Sequence, residues 1–188
     1  MTALPSILIA AVAAIVCVWG IFLYNGLIRS RNRTQEAWSG ISVQLKRRSS
    51  LIPNLVETVR GYAAHEDHVF SEVSRARGAL AQAAGPGAAA AADQVLSQAL
   101  GRLMAVAEAY PQLQAVIVFK QLQADLRDAE EKIAYARQFY NINVLSFNTS
   151  IQSFPANILA GWMRLTPSEF FRAEEAAEQE IAVSFTAA

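Results

Sequence analysis

The chain's two histidines both stand in one tetrapeptide, His65-Glu66-Asp67-His68. Imidazole and carboxylate side chains together can hold a transition metal or move protons. Read as one helix, His65 and His68 are three apart and share a face. A zinc-protease helix needs its histidines four apart with a glutamate directly after the first. A di-iron helix bundle needs Glu-x-x-His twice. Neither spacing is present. The stretch therefore reads as a solvated face or a polar helix boundary, and no metal or cofactor is assigned. A metal-binding bundle enzyme using His65 and His68 stays as the lesser alternative.

The second candidate is basic, Lys46-Arg47-Arg48. On a helix running straight from Tyr24, Lys46 lies roughly 30 Å beyond an apolar run that ends there. That is several Debye lengths of about 8 to 10 Å, so anionic lipid is a poor partner for it. The triplet is a solvated face or, with Trp38 and Trp162, a possible interaction surface for an acidic partner. Tyr135, Phe139, Tyr140 and Phe147 read as core packing. No glycine-rich phosphate loop and no catalytic serine or cysteine context accompanies them. The expectation is no catalytic residue and no enzyme. Net charge is zero over 188 residues, which argues against nucleic acid as a partner. The single cysteine, Cys17, sits within the apolar run, where it reads as apolar filling.

The elements that would position these residues begin with that run. Apolar residues make up 53% and charged residues 17% of the chain, and between Met1 and Ile28 no side chain is charged at neutral pH. Leu4 to Tyr24 is long enough for a bilayer core, which needs about 20 helical residues. Its eleven Leu, Ile, Val and Phe residues favour insertion by about 3 to 7 kcal/mol. Trp19 and Tyr24 suit an interface at its end. A cleaved signal would need a basic start and a shorter apolar run, so the segment reads as a single-pass anchor. Arg29, Arg31 and Arg33 flank only the C-terminal side. Positive flanks stay inside, so the expectation is an inner-membrane protein with its N-terminus outside and its helical domain cytoplasmic.

Beyond the anchor the apolar spacing is helical. Ala115, Phe119, Leu122, Leu126, Ala129, Ile133, Ala136, Tyr140, Val144, Phe147, Ile151 and Phe154 advance by threes and fours. This seam predicts one helix of about 60 Å from Pro111 to Phe154-Pro155. Trp38, Ile41, Leu45, Ile52, Leu55, Val59, Ala63, Val69, Val73, Ala76 and Leu80 predict a second long helix, kinked rather than broken at Pro53. Gly85-Pro86-Gly87 reads as a loop far from the membrane. A shorter helix over 88–109 follows, with Val95, Ala99, Leu103, Val106 and Tyr110 on one side. A helical turn through Ile158, Leu159 and Trp162 precedes Thr166-Pro167-Ser168-Glu169, which reads as a capping box starting a last helix to about Gln179. The residues from Ile181 to Phe185 read as an extended tail. The fold class is all-α: an anchor over 1–28, an antiparallel three- or four-helix bundle over 29–165 and a C-terminal acidic helix and tail over 166–188.

Several segments then carry a resemblance. They include Tyr24-Asn25-Gly26-Leu27, Glu36-Ala37-Trp38-Ser39, Leu51-Ile52-Pro53-Asn54-Leu55-Val56-Glu57, Gly61-Tyr62-Ala63, His65-Glu66, Glu108-Ala109-Tyr110-Pro111, Tyr140-Asn141, Phe154-Pro155 and Val183-Ser184-Phe185. In these the chain resembles the LemA family over nearly its whole length from Tyr24. The resemblance implies a membrane-anchored antiparallel helical bundle and no defined biochemistry. Some relatives of that family are tied to organelle-like bacterial membranes. Others neighbour membrane peptidases or TPM-type proteins in their genomes. Gln114, Val116 and Val118 depart from the lysine and two asparagines usual in the family, and Ile142-Asn143 from an acidic-small pair.

The resulting expectation is a non-enzymatic envelope scaffold that self-associates as a homo-oligomer through its membrane-proximal end. Regulation of a membrane peptidase or TPM-type protein is the alternative. The arginine asymmetry makes a topological prediction. A reporter fused after Ala188 is active in the cytoplasm. Moving three arginines ahead of Pro5 while removing Arg29, Arg31 and Arg33 inverts the chain. Activity confined to the periplasm in the unaltered chain contradicts the reading.

Overall fold

A computed structural model describes residues 3–172 of the chain, with side chains from Ile7 onward. The first element, α1 (Ala3–Arg60), is one helix of 58 residues, about 87 Å long. Its N-terminal part is apolar, buries nothing against the rest of the chain, and is long enough to cross a membrane. Its C-terminal part enters the bundle. Pro53 lies inside the helix without ending it.

The helix ends instead at Gly61, and this corrects the expected run from Trp38 to Leu80. Residues 61–66 form turns, and α2 (Asp67–Gln82) starts anew. Glycine is a poor helix interior, and Asp67 in a first turn complements the positive helix end. Ala63, within the turn, and Phe70 beyond it are both buried, so burial continues while the backbone reverses. That continuity is why the stripe looked unbroken.

Because α2 runs back toward the membrane, the loop before α3 (Gly85–Glu108) sits near Trp38 and not at the far tip. Ala83 and Ala89 line a shared depression with Trp38 and Leu45. Gly85 takes a φ of 85° as the chain turns into α3, with Pro86 in the first turn. On α3 the buried line is Ala89, Leu96, Leu100, Leu103 and Ala107, whereas Val95 is 51% exposed. A corner containing α4 (Pro111–Gln114) follows, with fully buried Leu113 as its plug.

The long return helix is α5 (Ile117–Gln152), about 54 Å from its 36 residues. It starts after extended Val116, not at Pro111, so Ala115 falls outside it and is exposed. From Phe119 to Ile151 the expected seam is otherwise buried, with Ala136 partly so. Phe154 is 81% exposed, because α5 ends two residues before it. A short α6 (Ala156–Trp162) comes next. Thr166-Pro167-Ser168-Glu169 does not cap a helix: residues 165–172 are irregular and lie along α5. The remainder of the expected acidic helix and tail lies outside the described residues.

The described chain is thus all-α, built as two close antiparallel pairs, α1 with α5 and α2 with α3, stacked into a bundle. Ala37, Gly40 and Ala136 on the first pair, and Ala76, Ala89 and Ala90 on the second, are small enough for close approach of the helices. The larger Ile41, Leu55, Phe70, Leu96, Leu103 and Phe119 fill the core. The α2/α3 pair is shorter than α1 and α5, and residues 165–172 fill the remainder like a strap. Asn148 donates its amide to Ser168 O and accepts from Ser168 N, at 3.0 and 2.8 Å. Asn141 makes the same two bonds with Phe171, at 3.2 and 2.9 Å. Seven helical residues rise about 10 Å and three extended residues span about 10 Å, so the clamps match. Phe171 is buried beside Trp38.

Ile133 is 2% exposed in the α5 seam and Glu131 is exposed. Ile133→Ala is expected to cost about 2 to 5 kcal/mol in chemical denaturation. Glu131→Ala is expected to cost less than about 0.5 kcal/mol. Equal small losses contradict the seam assignment.

Candidate interaction surface

The basic triplet divides among three environments. Lys46 is exposed, at the edge of the depression that Trp38 lines. Arg47 is half-exposed and pairs with Asp128 at 2.9 Å. Arg48 is buried, and this removes it from any surface. It occupies the gap in the stripe between Leu45 and Ile52, at steps of three and four. One guanidinium nitrogen, Nη1, donates to Asp93 Oδ1 of α3 at 2.8 Å. The other, Nη2, donates to Ser97 Oγ at 2.9 Å and pairs with Glu130 Oε2 of α5 at 3.0 Å. One side chain therefore ties α1, α3 and α5.

Burial pushes the Asp93 carboxyl above the usual carboxylate range, opposed by Arg48 and reinforced by Glu130. Desolvation thus outweighs pairing. A raised folded pKa means the native state holds this proton more tightly, so the contribution is present at acid pH and fades as pH rises through the shifted value. On the rim, the hydrogen bond from Lys132, joined by Arg47, holds Asp128 below its usual range. Burial, then Glu169, pushes the Tyr140 phenol up to about 12, and its hydroxyl donates to Glu169 O at 2.7 Å.

The remaining candidates separate. His65 lies in the turn after α1 and His68 on the first turn of α2, both exposed, so they share no helix face. Among the described residues no three His, Cys, Asp or Glu side chains converge as metal ligands. Trp38 is half-buried, tilted against Tyr140 and Phe171 at 5.8 and 6.2 Å. Trp162 is 79% exposed on α6. Arg29, Arg31 and Arg33 are exposed along α1 just past the apolar stretch. Cys17 is exposed within that stretch.

A surface that the seam pattern passes over lies on the outer side of the α1/α5 pair. Here an open groove of about 730 Å³ is lined by α1 and α5 alone, including Arg33, Glu36, Gln44, Asp128, Lys132 and Phe139. Gln44 Oε1 is buried there with no hydrogen-bond partner. Tyr135, Phe139, Ile142 and Leu145 stand exposed along α5, so Tyr135 and Phe139 are not core as expected. Their spacing of four and three was the available signal for a second, outward apolar row.

Most of the bundle and the return strap fall within a stretch that known sequences share. The sequence profile of the LemA family matches residues 37–185. The chain belongs to the LemA family. Magnetosome protein MamQ 2 of Paramagnetospirillum magneticum is 31% identical, over 84% of this chain and 68% of that relative. Magnetosome protein MamQ of Magnetospirillum gryphiswaldense is 28% identical over the same shares, 84% and 68%. Protein LemA of Metamycoplasma hominis is 26% identical over 80% of this chain and 69% of its own. Several LemA-like motifs take structural positions in this chain. Leu51 to Glu57 carry the helix past Pro53, Tyr110-Pro111 forms the tip corner, and Tyr140-Asn141 holds the strap.

Arg48→Met leaves Asp93 buried without its main partner, and is expected to cost about 3 to 5 kcal/mol in denaturant melts. Adding Asp93→Leu should recover most of that loss. A double variant no better than the single one contradicts the buried pair as the cause.

Proposed function

We propose that this LemA-family membrane protein is a non-enzymatic scaffold, anchored in the inner membrane with its bundle in the cytoplasm. On this reading it docks protein partners along the α1/α5 groove, a second copy first among them. The observation that carries the reading is the outward row Tyr135, Phe139, Ile142 and Leu145, exposed beside a groove of mixed charge. Aromatic residues with arginine are enriched at protein interfaces, and contiguous exposed apolar surface marks a contact site. Arg33 and Lys132 against Glu36 and Glu131 give the groove both signs, which suits contact with a like surface.

The anchor adds a second argument. Copies held in one plane meet at a raised effective concentration, and parallel spans allow a two-fold axis along the membrane normal. This reading sets self-association on the groove, where the sequence pointed to the membrane-proximal end. There Trp38 is half-buried and Ile41, Leu45, Phe147 and Ile151 are buried inside one chain, while Phe154 and Trp162 are exposed.

A photo-crosslinking residue in place of Phe139 in native membranes is expected to yield an adduct of twice the chain mass. Tyr135→Ser, at an exposed position, should reduce it severalfold without lowering the melting temperature. An adduct with a different membrane protein moves the reading to regulation of that partner. No protein adduct at all sinks it.

A further inference from the structure

The levels along α1 and α5 are fixed by their mutual contacts. Arg47 meets Asp128, Arg48 meets Glu130, Trp38 meets Tyr140, and the Thr34 hydroxyl donates to Asn143 O at 3.3 Å. Each residue gained along α5 is matched by about one residue back along α1. Continuing that register puts the end of α5, Gln152, level with about Asn25. That is where the uncharged apolar stretch gives way to Arg29 and its neighbours. The chain turns there and forms α6.

This short helix is two-sided. Ala160 is buried and Leu159 and Met163 are partly so, packed on Leu27 of α1 with Phe147 and Ile151 of α5. Ile158 and Trp162, four apart on α6, are 68% and 79% exposed, and Phe154 in the turn before it is 81% exposed. Leu27, against which α6 packs, lies about 4.5 Å past Tyr24 at the helical rise. The exposed face is therefore continuous with the outward apolar surface of the span, where Trp19 and Phe22 are also exposed. Charge supports the same occupant. Residues 1–35 and 142–168 hold Arg29, Arg31, Arg33 and Arg164 and no acidic side chain.

We propose that α6 is a second membrane contact, an interfacial foot that lays Phe154, Ile158 and Trp162 into an anionic lipid surface beside the span. An amphipathic helix in this position buries its apolar face about 5 to 10 Å into the headgroup boundary. Tryptophan favours that depth, and arginines at the same level meet lipid phosphates. The span alone fixes the bundle at one point and leaves its tilt free. Span and foot together fix its tilt and which side of the bundle faces the bilayer.

The test uses the full chain in vesicles of phosphatidylcholine with a minority of phosphatidylglycerol. Cys17→Ser removes the only cysteine, and Ile158→Cys then takes an environment-sensitive fluorophore; Ile117→Cys, exposed at the distal start of α5 and outside the groove, is the control. The label at 158 is expected to emit to the blue of the control. It should be severalfold less quenched by aqueous iodide and quenched by lipids brominated near the top of the acyl chain. The same result is expected with Tyr135→Ser and Phe139→Ser added, which separates this contact from docking at the groove. Water-like emission and full iodide quenching at 158 overturn the proposal. So does shielding without bromine quenching, since protein and not lipid would then cover the face.

Discussion

The helix α1 has to be continuous for anything else in the molecule to have a fixed height above the bilayer. Its apolar part is long enough to cross a membrane, and none of it is buried against the rest of the described chain. Its C-terminal half continues as helix through Pro53 to Arg60. Proline in a helix interior removes one backbone bond and costs about 3 kcal/mol. Ile52, Leu55, Val56 and Val59 around it are buried, and their packing offsets that loss. The helix then acts as a ruler. Once α5 is aligned against it, every residue of α5 acquires a membrane level, and α6 acquires the level at which α5 stops.

Polar groups, more than apolar ones, set that alignment. An apolar seam tolerates a shift of one heptad, since leucine packs on leucine in either position. Arg48 does not, because Asp93, Ser97 and Glu130 meet it in one register only. The upward displacement of Asp93 shows that the cluster is costly to ionise and bury. A buried ion pair adds little net stability over a well-packed apolar group, and the fixed partners of this one restrict how the helices can pack. The asparagine clamps do the same for the strap. Asn141 and Asn148 each treat a stretch of backbone as a neighbouring strand would, donating to its carbonyl and accepting from its N–H. Without them residues 168–171 would leave backbone groups unpaired beside a buried Phe171.

Periodicity made the helices legible because burial follows it. Nearly every seam position on α5, and most of the stripe across α1 and α2, is inside. The same reasoning failed where burial outlived the helix. Ala63 and Leu113 are buried in turns, so a stripe of buried residues crossed chain reversals unnoticed. Gly61 and the six-residue step from Ala63 to Val69 were the signals against continuity. Arg48 was legible in retrospect as the filler of a seven-residue step from Leu45 to Ile52, and Asp93 lies between Ala89 and Leu96 in the same way. The strap was not legible at all. A side-chain amide gripping a distant backbone leaves no periodic trace, and Thr166-Pro167-Ser168-Glu169 satisfies the local grammar of a helix start. The outward row on α5 was hidden by its own composition, since aromatic residues near a seam read as core.

The layering explains why that row is left outside. A pair of helices has two broad faces, and a fold closes when both are covered. The α2/α3 pair covers the distal part of one face of α1 and α5, and the strap covers the part nearer the membrane. Nothing among the described residues covers the other face; the groove there is lined by α1 and α5 alone. A chain selected only to be a stable monomer would carry polar residues along it, as most solvated helix faces do. Here Tyr135, Phe139, Ile142 and Leu145 are exposed instead. The aromatic row does nothing for the monomer's core, which is complete without it. Burying it against another surface is what the proposed docking would add.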